Sequence, residues 1–484
     1  MQRRSLLIGA PLMALPVLSP SAAGPALEGG APLDVAIAGS GLAGLAAAVA
    51  AAEAGTRRIT IFEKMPVIGG HSAVSTGYFS AVKRIPGRPE AEYRSAVRAM
   101  MDDMMATGRR RGDVRLIRKL VEESGDAVNW LSRMGVVWMP DTYEALGGMS
   151  PRSYISSFVR GGYDLVYALN RQARRLGVRI RFSSPVTSLA PDPASGLCRV
   201  EFRSQGKASA ILARSIILAT GGYTDSVALR SRYDPRLTAA FTTTANPYGD
   251  GAASNTGDGL VMAQKLGADA VDLDQILTIP FSGGRITNYV GPDIYLDEQG
   301  HRFVNEAASM EDISKAVWDL PGKTFWVLTD SQSSKGASRN AKLINGIVKT
   351  ANSLPEAARE MGIDPEALEE ELQIYNECAR TGKDPYFHRT TFTQQINKPP
   401  FYFGRERPYI HFCNGGVRFD TEARVLRKDG SPIPGLFAAG EVTGGLHGHG
   451  RLGGTSLPDC VVFGRTAGRN AARLALSRLS VWKA

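Results

Sequence analysis

The stretch Gly39-Ser40-Gly41-Leu42-Ala43-Gly44 follows directly on Leu33-Asp34-Val35-Ala36-Ile37-Ala38, a short apolar, β-branched run, and leads directly into an alanine-rich segment reaching about Glu53. Few folds accommodate that order. The apolar run predicts a buried strand, the glycines a tight turn and the alanines a helix. A second strand is predicted at Ile59-Thr60-Ile61-Phe62, ending on Glu63, 19 residues after Gly44. In such a unit the helix N-terminus offers unpaired N–H groups and a favourable dipole to a pyrophosphate, and the acid hydrogen-bonds an adenosine ribose. A glycine-rich turn alone is common; strand, turn, helix, strand and acid in register are not. The chain is predicted to be α/β, opening with a Rossmann-like dinucleotide-binding unit.

Two later stretches choose the dinucleotide. Ile216-Ile217-Leu218-Ala219-Thr220-Gly221-Gly222 is an apolar strand ending in a small-residue turn, and Gly435-Leu436-Phe437-Ala438-Ala439-Gly440-Glu441-Val442 lies near the C-terminus. Together they resemble the two flavoprotein signatures beside the pyrophosphate and ribityl chain, which makes the cofactor FAD. No second strand–G-x-G-x-x-G–helix unit is present for a nicotinamide, so electrons are expected to pass to or from a separate partner.

With 484 residues, 43% hydrophobic and 21% charged, the chain is long enough for two or three globular domains and is not a disordered, collagen-like or coiled-coil sequence. The formal charge of +10 is scattered, apart from Arg109-Arg110-Arg111. That excludes a nucleic-acid-binding stripe and points to an acidic partner or an anionic substrate. Cys198, Cys378, Cys413 and Cys460 show no metal spacing and no C-x-x-C-H, so no metal site and no c-type haem of the chain's own are expected. Arg3-Arg4, a modestly apolar run to Leu18 and Ser21-Ala22-Ala23 read as a twin-arginine-type export signal over residues 1–23. No run is long enough to span a membrane. A soluble periplasmic protein is expected.

The segment Gly440-Glu441-Val442-Thr443-Gly444-Gly445-Leu446-His447-Gly448, continued by Arg451-Leu452-Gly453-Gly454-Thr455-Ser456, Asp459 and Phe463-Gly464-Arg465, resembles the fumarate reductase and flavocytochrome c family. Gly69-Gly70-His71-Ser72, Gly257-Asp258-Gly259 and Gly300-His301-Arg302-Phe303-Val304-Asn305-Glu306 extend the match from about 33 to 474. The resemblance implies a Rossmann-like FAD-binding domain in two parts, 33–273 and 414–474, with an inserted α+β capping domain at 274–413 and the substrate between cap and flavin. Pro355, Glu356 and leucines at helical spacing between Ser353 and Arg380 read as cap helices. The implied FAD contacts are Gly39, Gly41, Leu42, Ala43, Gly44, Glu63, Lys64, Gly70, His71, Ser72, Gly77, Thr220, Gly221, Gly257, Asp258, Gly440, Glu441, Ser456 and Leu457.

The same resemblance implies hydride transfer between flavin N5 and a carbon–carbon bond, with a side chain handling the proton. Arg451 stands where the family clamps a carboxylate, a task suited to a planar, permanently charged fork. The family's other fumarate-handling positions hold Ile279, Met310, Ile286, Tyr289 and Phe412 in place of polar groups. Those changes predict a longer, more apolar substrate with one carboxylate or carbonyl, and electrons exchanged with a separate c-type cytochrome or similar carrier. Tyr289, Tyr409, His411 and Tyr154 are the candidates for the proton, each with the plainer reading of a core aromatic or buried ring. His447 and His449 lack a third metal ligand nearby in sequence. His71 stands where relatives of the succinate dehydrogenase branch bond histidine to the flavin; it is read here as packing near the flavin without that bond. The alternatives are a ketosteroid-dehydrogenase-like FAD enzyme and a non-catalytic electron-transfer flavoprotein.

Overall fold

A computed structural model of the chain describes residues 25–143, 150–158, 160–246, 252–281, 286, 291–333, 337–344, 346–477 and 482. The expected export signal and Tyr289 lie outside them.

The strands expected at the N-terminus form over Leu33–Ala38 and Ile59–Phe62, joined by the helix Leu42–Glu53. They sit inside an eight-stranded sheet whose main path runs Arg424–Leu426, Pro432–Ala438, Lys207–Leu218, Leu33–Ala38, Ile59–Phe62 and Arg179–Arg181. Leu33–Ala38 pairs in parallel on both sides, with Ile37 opposite Ile61 and Ile217. It is buried nearly throughout, which is why it reads as a continuous apolar run rather than an alternating one. Residues late in the chain complete this sheet: Phe437 pairs with Ile217.

The helix Leu42–Glu53 is buried on every side from Leu42 to Ala52. Its alanines are small because a second helix, Ser456–Ser477, lies against it at backbone distance. A Cβ at Gly464 would stand 2.6 Å from the carbonyl oxygen of Ala43, and one at Gly468 would collide with that of Ala47. Any side chain there drives the helices apart.

A second sheet is antiparallel, in the order Ile294–Leu296, Phe325–Thr329, Phe401–Glu406 and Val348–Ala351. The helices Leu354–Met361 and Pro365–Thr381 pack on it, capped by Ser353 and Asp364. Beneath them Glu306 accepts from Arg302 Nε and Nη2, both at 2.7 Å, and from Arg389 Nη1 at 2.8 Å; Asp384 takes Arg302 Nη2 at 2.9 Å. All four side chains are buried, so the Gly300–Glu306 stretch works as an internal clamp of this sheet. Ile286 lies in the same unit's core, with Phe281, Tyr295 and Phe325.

Between the two sheets a short ladder joins Ile276–Ile279 to Tyr409–Cys413. Leu277 faces Phe412 and Thr278 faces Ile410, which leaves His411 as an extra residue in a bulge. A bulge re-aims side chains and locally breaks the two-residue alternation. No described helix is long and apolar enough to cross a membrane.

Candidate active site

The nucleotide crevice is built from its glycines outward. Gly39 takes φ +103°, a left-handed conformation that glycine alone adopts without strain. A Cβ on Gly44 would strike the Gly39 carbonyl, so turn and helix close on each other only with both glycines present. Gly41, Leu42 and Ala43 form the opening of the helix, and Ser72 Oγ lies 3.4 Å from the Leu42 N–H. Glu63, 7% exposed, accepts the N–H of Ser40 at 2.7 Å and that of Met65 at 2.8 Å. Its remaining lone pairs are available to a ribose hydroxyl. Lys64 Nζ lies 2.9 Å from Asp258 Oδ2, which joins the second strand to the helix Asp258–Lys265 that Gly257 opens. Gly77 precedes the strand Phe79–Ser80, Thr220 and Gly221 follow the strand Lys207–Leu218, and Gly440 packs toward Ala43. Ser456 and Leu457 start the C-terminal helix, with Leu457 in the core.

His71 sits on the one-turn helix Gly70–Val74. Its Nδ1 is 3.8 Å from Glu441 and 3.4 Å from Asn255 Nδ2, and its Nε2 is 3.8 Å from Asp225. Burial disfavours its charge, but Asp225 and Glu441 outweigh that and raise its pKa. Burial likewise opposes the charge on Asp225, yet His71 and the N–H groups of Asn255 and Ser254 hold it down at about 2. Glu441 also accepts from Asn255 Nδ2 and the Cys413 N–H, both at 3.0 Å. Asp225 and Asn255 were missed in the sequence; Asn255, two residues before Gly257, was the nearer to being found.

These residues fit FAD. The cradle excludes side chains where a pyrophosphate passes, the buried acid stands at the end of the second strand, and three segments far apart in sequence converge on one crevice.

Arg451 lies beyond that crevice. Its Nη2 donates to His411 Nε2 at 3.0 Å, and its guanidinium carbon is 4.7 Å from the centroid of the Phe412 ring. Two adjacent strand residues reach one arginine because of the bulge at His411. Nδ1 of His411 pairs with Thr244 Oγ1 at 2.8 Å. Nε2 must accept from a guanidinium, so His411 is neutral with its proton on Nδ1. Burial, then the charges of Arg451 and His71, push its pKa down to about 3. Burial also lowers Arg451, to about 10, which leaves it cationic at neutral pH. The buried Nε of Arg451 has no hydrogen-bond partner among the described residues.

Phe412 in turn meets His447 edge-on at 5.7 Å, and His447 Nε2 is 3.6 Å from Asp459. His449 turns elsewhere: Nδ1 lies 2.5 Å from Gln275 Oε1 and Nε2 3.3 Å from Glu311. The two histidines thus face different partners, and no group of three potential metal ligands occurs among the described residues. Tyr409 is buried opposite Ile279, two residues before His411. Tyr154 packs edge-on against Trp138 at 6.0 Å, as a core aromatic does. Met310 begins the helix Met310–Asp319 and packs partly against the core of the second sheet.

Comparison with known proteins places these features in context. Residues 34–457 match the family model described as an FAD binding domain. The chain is 32% identical over 463 residues to a probable fumarate reductase of Shewanella frigidimarina, covering 92% of this chain and 76% of that protein. It is 32% identical over 488 residues to the acrylate reductase flavoprotein subunit of Shewanella woodyi, covering 94% of each. The open conformation of a flavocytochrome c3 fumarate reductase superposes with a TM-score of 0.76 at 30% identity, over 92% of this chain and 78% of that one.

Proposed function

This chain belongs to the FAD-binding flavoprotein family that includes fumarate and acrylate reductases, and we propose that it acts on a relatively apolar substrate other than fumarate, at a carbon–carbon bond beside a single carboxylate or carbonyl. It is an FAD-dependent oxidoreductase of C=C bonds. The Gly39–Gly44 turn, Glu63 and the Glu441 region would hold FAD, which when bound would supply hydride exchange at N5.

The observation that carries the reading is what surrounds Arg451. One N–H of Nη2 is committed to His411, while Nε–H remains free in a buried position. Nε–H and the second N–H of Nη2 make a fork for one carboxylate, and a dry site strengthens its hold on developing charge. One face of the guanidinium lies on Phe412, and Ile279 continues the same ladder. The apolar Phe412 and Ile279 beside that fork favour one anionic or carbonyl group joined to an apolar body. The apolar ladder also favours a second reading, dehydrogenation of a bulky ketone, against which Arg451 stands.

His411, with both nitrogens engaged, braces Arg451 and leaves the proton to another group. Tyr409 and Tyr289 are our candidates. We further propose export through the Arg3-Arg4 leader and electron exchange with a separate carrier of the cytochrome c type. The test is reduced, FAD-loaded protein mixed without oxygen with a panel of α,β-unsaturated acids, enones and fumarate while flavin reoxidation is followed. Faster reoxidation by a monocarboxylate or enone than by fumarate is expected. Reoxidation by fumarate alone, or by nothing in the panel, overturns the reading.

A further inference from the structure

The turn between the helices Glu90–Thr107 and Val114–Arg133 carries three exposed arginines, Arg109, Arg110 and Arg111, and the start of the second helix adds exposed Arg115 and Arg118; within 108–118 the one carboxylate is Asp113. We propose that this tip is the docking surface for an acidic electron-carrier protein. The inference rests on the reading that electrons reach FAD from a separate carrier: each substrate reduced draws two electrons from the cofactor, and these must be replaced from outside.

Three observations converge on the tip. It is seated on the loop between Glu441 and Arg451 in backbone-to-backbone contact. Asp113 N–H donates to the Gly445 carbonyl at 2.7 Å, and His449 N–H to the Gly108 carbonyl at 3.1 Å. A Cβ on Gly108 would lie 2.5 Å from the His447 oxygen, and one on Gly112 2.6 Å from that of Leu446. A protein docked on the arginines therefore comes within one backbone layer of the loop that bears the substrate arginine.

The backbone is also strained there. Arg109 and Arg110 take φ +48° and +57°, two successive non-glycine residues in the left-handed region. Glycine would sit there without penalty, yet the positions hold arginine. Backbone strain of this kind concentrates at functional sites. It is held by Arg110 N–H donating to the Met105 carbonyl at 2.7 Å.

The charge is only partly neutralised. Arg109 pairs with Glu311, Arg111 with Asp272 at 2.8 Å and Arg115 with Asp113 at 2.7 Å. Arg110 and Arg118 have no ion pair among the described residues. A net positive, exposed projection favours encounter with a negative partner and speeds it.

The experiment follows reduction of the FAD-loaded protein under anaerobic conditions with no organic substrate present, so its outcome is independent of the substrate panel. Reduced flavodoxin is the acidic probe, two molecules each giving one electron, and photoreduced 5-deazaflavin is the small uncharged one. In the wild type, the flavodoxin rate constant should fall about tenfold from low to 0.3 M salt, and the deazaflavin rate should not move. Arg110→Glu with Arg118→Glu should lower the flavodoxin rate about tenfold at low salt and flatten its salt slope, at full FAD content. Arg359→Glu with Arg380→Glu, on the helices of the second sheet, should leave it unchanged. Arg110→Gln, a milder change, should give a two- to threefold loss and covers failure of the reversal to fold. A salt-independent wild-type rate, or equal losses from both pairs of reversals, overturns the proposal.

Discussion

Nη2 of Arg451 lies 3.0 Å from Nε2 of His411, so a buried cation is held by the lone pair of a neutral imidazole rather than by a carboxylate. A carboxylate would cancel the charge and compete with a substrate anion. The imidazole fixes the fork and leaves the charge to be used.

Arg451→Ala and Arg451→Lys should both retain FAD, because the crevice of Gly39–Gly44 and Glu63 is separate from the guanidinium. Turnover of the best panel substrate should fall by about 10²–10³, with lysine rescuing poorly, since a point charge cannot reproduce a planar fork. Near-normal rates in both variants at full flavin content would make the arginine structural.

His411 titrates in the unfolded chain near 6.5 but in the fold only at about 3. Below pH 6.5 the unfolded chain therefore binds a proton that the native protein refuses. Its contribution to stability is complete above 6.5 and is lost progressively as the pH falls toward 3. Urea melts of His411→Gln should show a shallower loss of stability between pH 6 and 4 than the wild type; equal slopes would refute the neutral assignment.

His71 stands between Asp225 and Glu441, which favour the imidazolium. A ring whose proton two flanking carboxylates favour is a poor nucleophile toward the flavin. Acid precipitation should release the yellow colour into solution, and a flavin-mass adduct on the His71 peptide would show otherwise.

Wild-type protein should reduce fumarate poorly, since Phe412 offers a second carboxylate no donor. Phe412→His combined with Met310→Arg should raise fumarate kcat/KM at least about tenfold, the scale of one charge-assisted hydrogen bond. No gain in the double variant would mean that these positions do not set specificity.

Glu306→Gln removes the anion between two buried guanidinium groups. A loss of about 3–5 kcal/mol is expected, because Arg389 loses its carboxylate in the interior while Arg302 keeps only Asp384. Denaturant midpoints at unchanged m-value check it.

The dinucleotide crevice was legible because its constraints are local: strand, turn, helix and acid lie within Leu33–Glu63, and the strands and helix form over Leu33–Ala38, Leu42–Glu53 and Ile59–Phe62. The surroundings of Arg451 were only partly legible. A one-residue bulge at His411 decides that His411 and Phe412 both reach the guanidinium, and a bulge is set by tertiary pairing rather than by local pattern. Glu306 illustrates the same limit, since its arginines include Arg389, 83 positions away.

The seating of the helix Ser456–Ser477 against Leu42–Glu53, with Pro432–Ala438 alongside Lys207–Leu218, gives the molecule a direction in time. Synthesis begins with the half of the crevice that needs the other half most. Until the last fifty or so residues leave the ribosome, the first helix lacks the helix that packs closest against it and the first sheet lacks a strand. Shortening the chain from its far end should therefore abolish flavin retention before it touches any residue of the opening turn.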